Sequence, residues 1–207
     1  MSTILAGFSA FPGAPFNPCA DLVESLNNGH ASGGLLPVLL PVGWDESWAT
    51  LKSAIEAERP RNVVMFGLHA KAERVRIELR AANKRELGRE DAFGRFPAGP
   101  SVTDGPAHLD AKLPWNGIAA LLREGELDFE WSCDAGGYLC NDTLYRLCRN
   151  AGALGVERYG FVHVPMSDER IGDVVASGEE LPVCFNTVPA AKLVRFARGL
   201  ASYLEAN

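Results

Sequence analysis

The chain has 207 residues, of which 47% are hydrophobic and 22% charged, and this length suits one domain or at most two small ones. The composition is close to the globular average, which excludes a disordered, collagen-like or coiled-coil chain. Twenty Lys and Arg residues against 26 Asp and Glu give a formal net charge of −6 without basic clusters, so we expect no binding to nucleic acid or to an anionic membrane surface.

The first third of the chain alternates short apolar runs with helical patterns. Asn17-Pro18 is an N-cap followed by proline at the first helical position, and it predicts a helix to about Leu26. A second helix is predicted over Glu46–Glu58. The apolar runs predict strands at Thr3–Gly7, Leu35–Leu40 and Asn62–Gly67. Because these runs are apolar on both faces and separated by helices, they indicate a mostly parallel sheet covered on both sides.

The segment 74–83 breaks this pattern, because apolar and charged residues alternate along it with period 2. The alternation predicts a half-exposed strand with Glu78 on its polar face. A Gly- and Pro-rich stretch with little periodicity follows over Gly88–Gly105. Loops of this length in a compact domain usually cover a site, pack in an oligomer or move.

The α/β order then resumes to the end of the chain. The predicted elements are a helix over Trp115–Glu124, a strand over Phe129–Ser132, a helix from near Gly137 to Asn150, a strand over Arg158–Val164 and a final helix over Pro189–Glu205. The sequence contains no linker-like segment and no internal repeat. We therefore predict one α/β domain over residues 1–207, a three-layer α/β/α sandwich around a mostly parallel, partly mixed twisted sheet.

The five cysteines form an odd set without C-x-x-C or paired His spacing, which argues against a zinc site and against a secreted disulfide framework. The first 20 residues are uncharged, but they lack a basic start and contain three prolines, which argues against a signal peptide. The apolar stretch Leu35–Trp44 is far shorter than the ~20 residues that span a bilayer. We predict a cytoplasmic protein with reduced thiols and no membrane association.

The segment SCDAGGYLCN, residues 132–141, places a cysteine at a strand-to-helix turn. Cys140 falls in the first turn of the predicted helix, where unpaired N–H groups and the helix dipole favour a thiolate and offer donors to an oxyanion. The alternative is an ordinary buried cysteine, which is the usual state of a free thiol.

His163 lies in YGFVHVP at the end of a predicted strand, where ligands bind in parallel α/β sheets. Its alternative is a core histidine with a satisfied hydrogen bond. For Glu78 the alternative is a surface carboxylate in weak ion pairs, each worth ~0–1 kcal/mol. The remaining histidines are expected in solvent: His30, His69 and His108. The segment GFSAFPG lacks the phosphate-loop patterns, and no H-E-x-x-H is present, so phosphate-loop and metal sites are set aside.

Together these segments resemble the pyroglutamyl peptidase I (pyrrolidone-carboxylate peptidase) family of cysteine peptidases over nearly the whole chain. The landmarks follow the family's order: GFSAFPGAPFNP (7–18), the Glu78…Asn83 stretch, DGPAHLDAKLP (104–114), SCDAGGYLCN and GFVHVP. The last two match the family's nucleophile and histidine motifs closely.

The resemblance implies a catalytic triad of Cys140 as nucleophile, His163 as acid–base and Glu78 as the group that orients the imidazole. It also implies a lactam-binding pocket that maps onto Phe8, Phe11, Asn17, Tyr138 and Leu139, although capping of the first helix accounts for Asn17 equally well. The substrate would be a small peptide with a blocked N-terminus. No metal or organic cofactor is implied, and a homo-oligomer, tetramer or dimer, is expected.

Departures from the family pattern concern substrate choice. After Gly67 the family usually has Gln-Ala-Gly-Gly-Arg, whereas this chain has Leu68-His69-Ala70-Lys71-Ala72. Leu79 replaces an Arg after the glutamate, and Gly13 is followed by Ala-Pro-Phe. Two alternatives therefore stay open: a cysteine amidase or peptidase of the same scaffold with another N-terminal specificity, and a non-catalytic ligand-binding homologue. The intact trio of reactive residues argues against the second.

Overall fold

The structure is a computed structural model that describes residues 2–11, 14–28 and 34–207. The expectations for His30 and for Gly13 lie outside these residues. The strands are β1 (Thr3–Phe8), β2 (Leu35–Leu40), β3 (Asn62–Leu68), β4 (Val75–Glu78), β5 (Arg80–Ala82), β6 (His108–Asp110), β7 (Phe129–Ser132), β8 (Arg158–Val164), β9 (Met166–Ser167) and β10 (Thr187–Val188). The helices are α1 (Pro18–Asn28), α2 (Glu46–Glu58), α3 (Trp115–Glu124), α4 (Leu139–Asn150), α5 (Ile171–Ala176) and α6 (Ala190–Ala206), with a 3-10 turn at Asp168–Arg170.

The central sheet has six strands in the order β2-β1-β3-β8-β4-β7. The first four of these run parallel to one another. β4 runs antiparallel to β8 and parallel to β7, so the last two strands point the opposite way. The predicted mostly parallel, partly mixed sheet is confirmed.

Helices cover both faces of this sheet, as the doubly apolar strands require. In β3, Val64 and Phe66 pack on one face with α1, α3 and α6, while Val63 and Met65 pack on the other face with α2 and α4. Both layers are built from side chains that are almost completely removed from water. The predicted three-layer α/β/α sandwich is confirmed.

The segment 74–83 differs from its prediction as a single half-exposed strand. It divides into β4, in the central sheet, and β5, which pairs antiparallel with β6 in a separate ribbon. Of the predicted polar face, Arg74 is exposed and Arg76 and Arg80 are partly exposed, but Glu78 is not in solvent, with an exposure of 0%. The alternation marks the two faces of the strand correctly, but Glu78 on the charged face of β4 packs inside the protein.

The long stretch between β5 and β6 contains no helix or strand, as predicted. Its chain is fixed to the turn before α2 by the buried carboxylate of Asp91. That carboxylate accepts hydrogen bonds from the backbone N–H groups of Trp44 (3.1 Å), Phe93 (2.9 Å) and Arg95 (3.0 Å). This loop therefore forms a defined wall beside the carboxyl ends of the parallel strands. In the part of the chain that the structure describes, no helix combines the length and apolarity needed to cross a membrane.

Candidate active site

Cys140 is the second residue of α4, at the carboxyl edge of the sheet. The turn before the helix needs the left-handed backbone of Gly136 (φ +82°), and Tyr138 is the extended N-cap residue. The first helical hydrogen bond runs from Asp142 N to Tyr138 O (3.0 Å), so the N–H groups of residues 139–141 precede helical bonding. The Cys140 sulfur thus lies beside free backbone donors and the positive end of the helix dipole.

His163 is the sixth residue of β8, next to the antiparallel strand β4. In this pair His163 lies opposite Arg76, and Glu78 lies opposite Phe161. Opposed residues of an antiparallel pair point to the same face, so the imidazole and the carboxylate are diagonal neighbours. Nδ1 of His163 donates to Oε1 of Glu78 at 2.8 Å, and both side chains are buried, with exposures of 4% and 0%.

The Cys140 side chain completes this arrangement, since it lines the same cleft as His163 and lies close enough to act on the pKa of the imidazole. Glu78 occupies Nδ1, which leaves Nε2 for the sulfur. Burial alone would lower the pKa of His163, but the charge and hydrogen bonds of Cys140 and Glu78 outweigh it and raise the pKa to about 9. A histidine in this state holds its proton at neutral pH and presents an imidazolium to the sulfur.

The space around the sulfur is closed on one side by Gly67. A Cβ at this position would lie 2.6 Å from Cζ of Phe161 and 2.9 Å from Sγ of Cys140. Any side chain there would push either the ring or the sulfur from its place. Gly67 therefore permits the close approach of β3 to the catalytic candidates.

Two of the three side chains line a cleft of about 430 Å³, a volume within the usual range of ligand sites. These two are Cys140 and His163. All five residues predicted for the substrate pocket line it: Phe8, Phe11, Asn17, Tyr138 and Leu139. Glu78 lies behind His163, away from the cleft surface.

The chain is similar to known proteins over most of its length. A family model of pyroglutamyl peptidases matches residues 1–196. The chain belongs to the pyroglutamyl peptidase family. It is 34% identical over 172 residues to a pyrrolidone-carboxylate peptidase of Gloeobacter violaceus, covering 82% of this chain and 84% of the relative. A pyrrolidone-carboxylate peptidase of Escherichia fergusonii is 30% identical over 168 residues, covering 80% and 78% of the two chains.

Solved structures show the same fold. A mutant pyrrolidone carboxyl peptidase of Pyrococcus furiosus superposes with a TM-score of 0.87 at 23% identity, over 100% of this chain and 99% of the other. Pyroglutamyl peptidase I of Bacillus amyloliquefaciens gives a TM-score of 0.84 at 24% identity, over 100% and 97% of the two chains. The predicted resemblance and the prediction of a cysteine peptidase of the pyroglutamyl-peptidase I type are confirmed at the level of the family.

Asn17 has a structural role within this pyroglutamyl peptidase fold. Its Oδ1 accepts a hydrogen bond from Cys19 N (3.0 Å) at the start of α1, and its Nδ2 donates to Ser9 O (3.0 Å). The side chain is 2% exposed, although it contributes to the cleft wall. Capping of α1 therefore accounts for the hydrogen bond that the Asn17 side chain accepts from Cys19 N.

His69 was expected in solvent, and that expectation is wrong. Its ring is half-buried, lines the cleft and lies 5.6 Å from the His163 ring, centroid to centroid, at an interplanar angle of 81°. Position 69 belongs to the loop that departs from the family pattern. The altered sequence of this loop was the only signal that the residues offered for His69. The structure adds that the loop continues β3 toward His163. His108, by contrast, is exposed as expected.

The other four cysteines differ from Cys140 in their surroundings. Cys19 is fully buried, and burial raises its pKa well above the usual range. Burial also raises the pKa of Cys148 to about 12. Cys133 and Cys184 are exposed. Among the described residues, no group of three or more His, Cys, Asp or Glu side chains is placed to hold a metal ion.

Proposed function

We propose that this chain removes an N-terminal pyroglutamyl residue from peptides, with Cys140 as nucleophile, His163 as general acid–base and Glu78 as the carboxylate that orients the imidazole. One observation carries the proposal. The imidazole of His163 is held between the Glu78 carboxylate, at 2.8 Å, and the Cys140 thiol at the N-terminus of α4.

The reaction begins with the single proton of the Cys140–His163 pair on His163, as Cys140 Sγ attacks the carbonyl carbon that joins the pyroglutamyl ring to the next residue. The developing oxyanion lies near the N–H groups that precede helical bonding in α4, which stabilise its charge. His163 then gives its proton to the leaving nitrogen, the C–N bond breaks, and the shortened peptide departs with a free amino group.

A water molecule completes the cycle. The neutral His163 takes a proton from this water as the water oxygen attacks the thioester carbon. The C–S bond breaks, pyroglutamate leaves as the free acid, and the Cys140–His163 pair returns to its starting state with the proton on His163. Glu78 takes no part in these proton transfers, since its part is to hold the ring and to stabilise the imidazolium.

The cleft composition supports a neutral, ring-shaped substrate residue. Phe8, Phe11, Tyr138 and Leu139 form an apolar wall next to the sulfur, with the rings of Phe11 and Tyr138 6.4 Å apart. A free N-terminal ammonium would lose its hydration against this wall, at a cost of several kcal/mol, and the carboxylates that line the cleft, Glu86 and Asp134, are already paired with Arg89 and Lys84. A lactam nitrogen carries no charge and avoids that cost.

The decisive experiment compares kcat/KM for pyroglutamyl-, prolyl- and alanyl-amides of one chromogenic amine. Prolyl-amide has the same ring size but a charged nitrogen. We expect the pyroglutamyl compound to be cleaved fastest. Its KM should be higher than in proteins with the usual family pattern, because Leu68 and Ala72 replace polar residues of that pattern. Cys140→Ala should abolish turnover, whereas Cys184→Ser, which alters an exposed thiol, should leave it unchanged.

Other results would select another function. Equal or faster cleavage of prolyl-amide would overturn the pocket assignment and favour a cysteine peptidase of another N-terminal specificity. No turnover of any amide, together with saturable binding of pyroglutamate, would favour a ligand-binding homologue.

The resemblance further supports one catalytic domain over residues 1–207 that assembles as a homotetramer or dimer. Light scattering coupled to size-exclusion chromatography tests the assembly, and a monomer at micromolar concentration would contradict it. All five cysteines are free, which supports a reducing, cytoplasmic location. Export of the protein by its own cells would contradict that location.

A further inference from the structure

His69 contacts the catalytic pair without belonging to it. Its ring meets the His163 ring edge to face, with 5.6 Å between centroids and 81° between planes. Aromatic pairs favour this arrangement. On its other side, Nε2 of His69 lies 3.2 Å from Nη1 of Arg76.

The contact with Arg76 defines the protonation of the His69 ring. A guanidinium has only N–H donors, so Nε2 of His69 must accept the hydrogen bond. The proton of the neutral ring is therefore on Nδ1. Arg76 is itself held by a hydrogen bond to Ser132 Oγ (2.9 Å) and by an ion pair with Glu130 (3.3 Å).

The backbone of His69 is also fixed. His69 N donates to Val164 O (2.9 Å), which continues the pairing of β3 with β8, and Ala72 N donates to His69 O (2.8 Å) in the turn that follows. These bonds hold the backbone of His69 beside β8, so the ring can leave His163 only by rotation of its side chain.

The charges around the ring keep it neutral. Burial, the nearby His163 and Arg76 lower the pKa of His69, although Glu78 acts in the opposite direction. The groups that face it are His163 from β8 and Arg76 and Glu78 from β4, and the other titratable side chains on the cleft walls are Lys71, Glu86, Arg89, Asp134, Tyr138 and Cys140. A protonated His69 would place a second cation against both Arg76 and the His163 imidazolium.

We propose that His69 is a positioning residue: its neutral ring, held by Arg76, fixes the plane of the His163 imidazole between Glu78 and Cys140. This inference rests on the proposed function, because it assigns His69 a part in the action of that pair. The ring packing, rather than a proton on His69, does the positioning. Protonation of His69, which makes its ring a cation, disturbs this positioning of His163.

The test uses His69→Ala, which removes the ring, and His69→Phe, which keeps a ring that cannot be protonated. His108→Ala, at an exposed histidine, is the control. For each protein, kcat and KM for pyroglutamyl-amide are measured from pH 5.5 to 8. The rate of Cys140 alkylation by iodoacetamide is measured over the same range, because it reports on the thiol without requiring turnover.

We expect His69→Ala to lower kcat and the alkylation rate at pH 7 about fivefold, with KM within twofold of the unmodified chain. His69→Phe should restore both rates to within twofold, and it should keep a larger fraction of its pH 7.5 activity at pH 5.5 than the unmodified chain does. In a ¹⁵N-histidine spectrum, the signals that disappear in His69→Phe should be those of a neutral ring protonated on Nδ1.

Three results would overturn the inference. These are equal rates in His69→Ala and the unmodified chain, equal losses in His69→Ala and His69→Phe, and a His69 signal from a ring protonated on Nε2. Failure of the proposed function is distinguishable. If no protein cleaves pyroglutamyl-amide but the alkylation rates differ between the variants as expected, the substrate assignment is wrong and the positioning by His69 stands.

Discussion

Replacing Glu78 with Gln isolates the charge of the buried carboxylate while keeping its shape. The side chain is 0% exposed, and Oε1 accepts the Nδ1–H of His163 at 2.8 Å. The amide oxygen of Gln can accept the same hydrogen bond, so the ring keeps its tautomer. What disappears is the negative charge that helps to hold the proton on His163.

The size of the effect follows from the pKa of His163. The rise from 6.5 to about 9 corresponds to roughly 3 kcal/mol at 1.36 kcal/mol per pKa unit. Cys140 contributes more of this rise than Glu78, so removal of the Glu78 charge should cost the imidazolium about 1 kcal/mol. This weakens the hold of His163 on its proton roughly fivefold, and poorer orientation of the ring adds a further loss, so kcat should fall about a hundredfold.

Folding stability should change much less than kcat. Oε2 of Glu78 is buried and has no hydrogen-bond partner among the described residues. Burial of a neutral amide there costs less than burial of a carboxylate, which offsets the weaker bond to His163. We expect the free energy of unfolding to change by no more than about 1 kcal/mol.

The assay pairs steady-state kinetics on pyroglutamyl-amide with urea unfolding for Glu78→Gln and for Glu56→Gln. Glu56 lies on the exposed face of α2 in a weak ion pair with Lys52, so its variant is the matched control. Unchanged kcat in Glu78→Gln with normal stability would refute the orienting role. A loss of kcat accompanied by a fall in the free energy of unfolding of roughly 3–5 kcal/mol, as for a broken buried pair, would instead assign Glu78 a role in stabilising the fold.

Four further predictions follow from the same geometry. Sub-stoichiometric iodoacetamide should label Cys140 before the other four cysteines in a peptide map, and first labelling of either exposed thiol would contradict this assignment. Because the folded-state pKa of His163 is raised, its stabilisation is complete below pH 6.5 and is lost as the pH rises toward 9. Urea unfolding should therefore give a free energy of unfolding about 1.5 kcal/mol lower at pH 8 than at pH 6.5. An equal loss of stability in His163→Gln over this pH range would show that His163 is not its source. Gly67→Ala should lower kcat more than tenfold, since its Cβ would meet Phe161 at 2.6 Å, and an active, equally stable variant would show that the ring can yield. Asp91→Asn should raise KM severalfold with kcat within threefold, because the loop that it anchors forms a cleft wall, and an unchanged KM would show that this wall does not touch substrate.

The sequence predicts the long periodic elements well. The bounds of α2, α3, β7 and β8 agree with the patterns, because their apolar spacing reports directly which face is buried. The start of α4 moves from near Gly137 to Leu139, since the glycines before it form the turn. Very short elements were missed. β6 has three residues and exists through pairing with β5, so no local pattern specifies it.

The candidate site was predictable only where local chemistry indicates it. Cys140 follows from a strand-to-helix turn, and His163 from the end of an apolar strand. The burial of Glu78 is not visible in its charged surroundings, because it depends on the antiparallel pairing of β4 with β8. The approach of His69 to His163 depends on the continuation of β3 past its last regular residue. The burial of Glu78 and the approach of His69 to His163 both depend on tertiary structure, which residue spacing does not reveal.

The reversal of strand direction beside β8 explains why the carboxylate lies deepest in the site. In an all-parallel sheet, neighbouring strands end at the same edge, where a carboxylate would meet the cleft and its water. β4 runs the other way, so its last residue, Glu78, lies opposite Phe161, two residues back along β8 from His163. Exposure therefore falls from the half-buried Cys140 through His163 at 4% to Glu78 at 0%. In that interior of low dielectric constant a carboxylate acts strongly on its nearest cation, so the charge of Glu78 is directed onto His163 and not onto solvent.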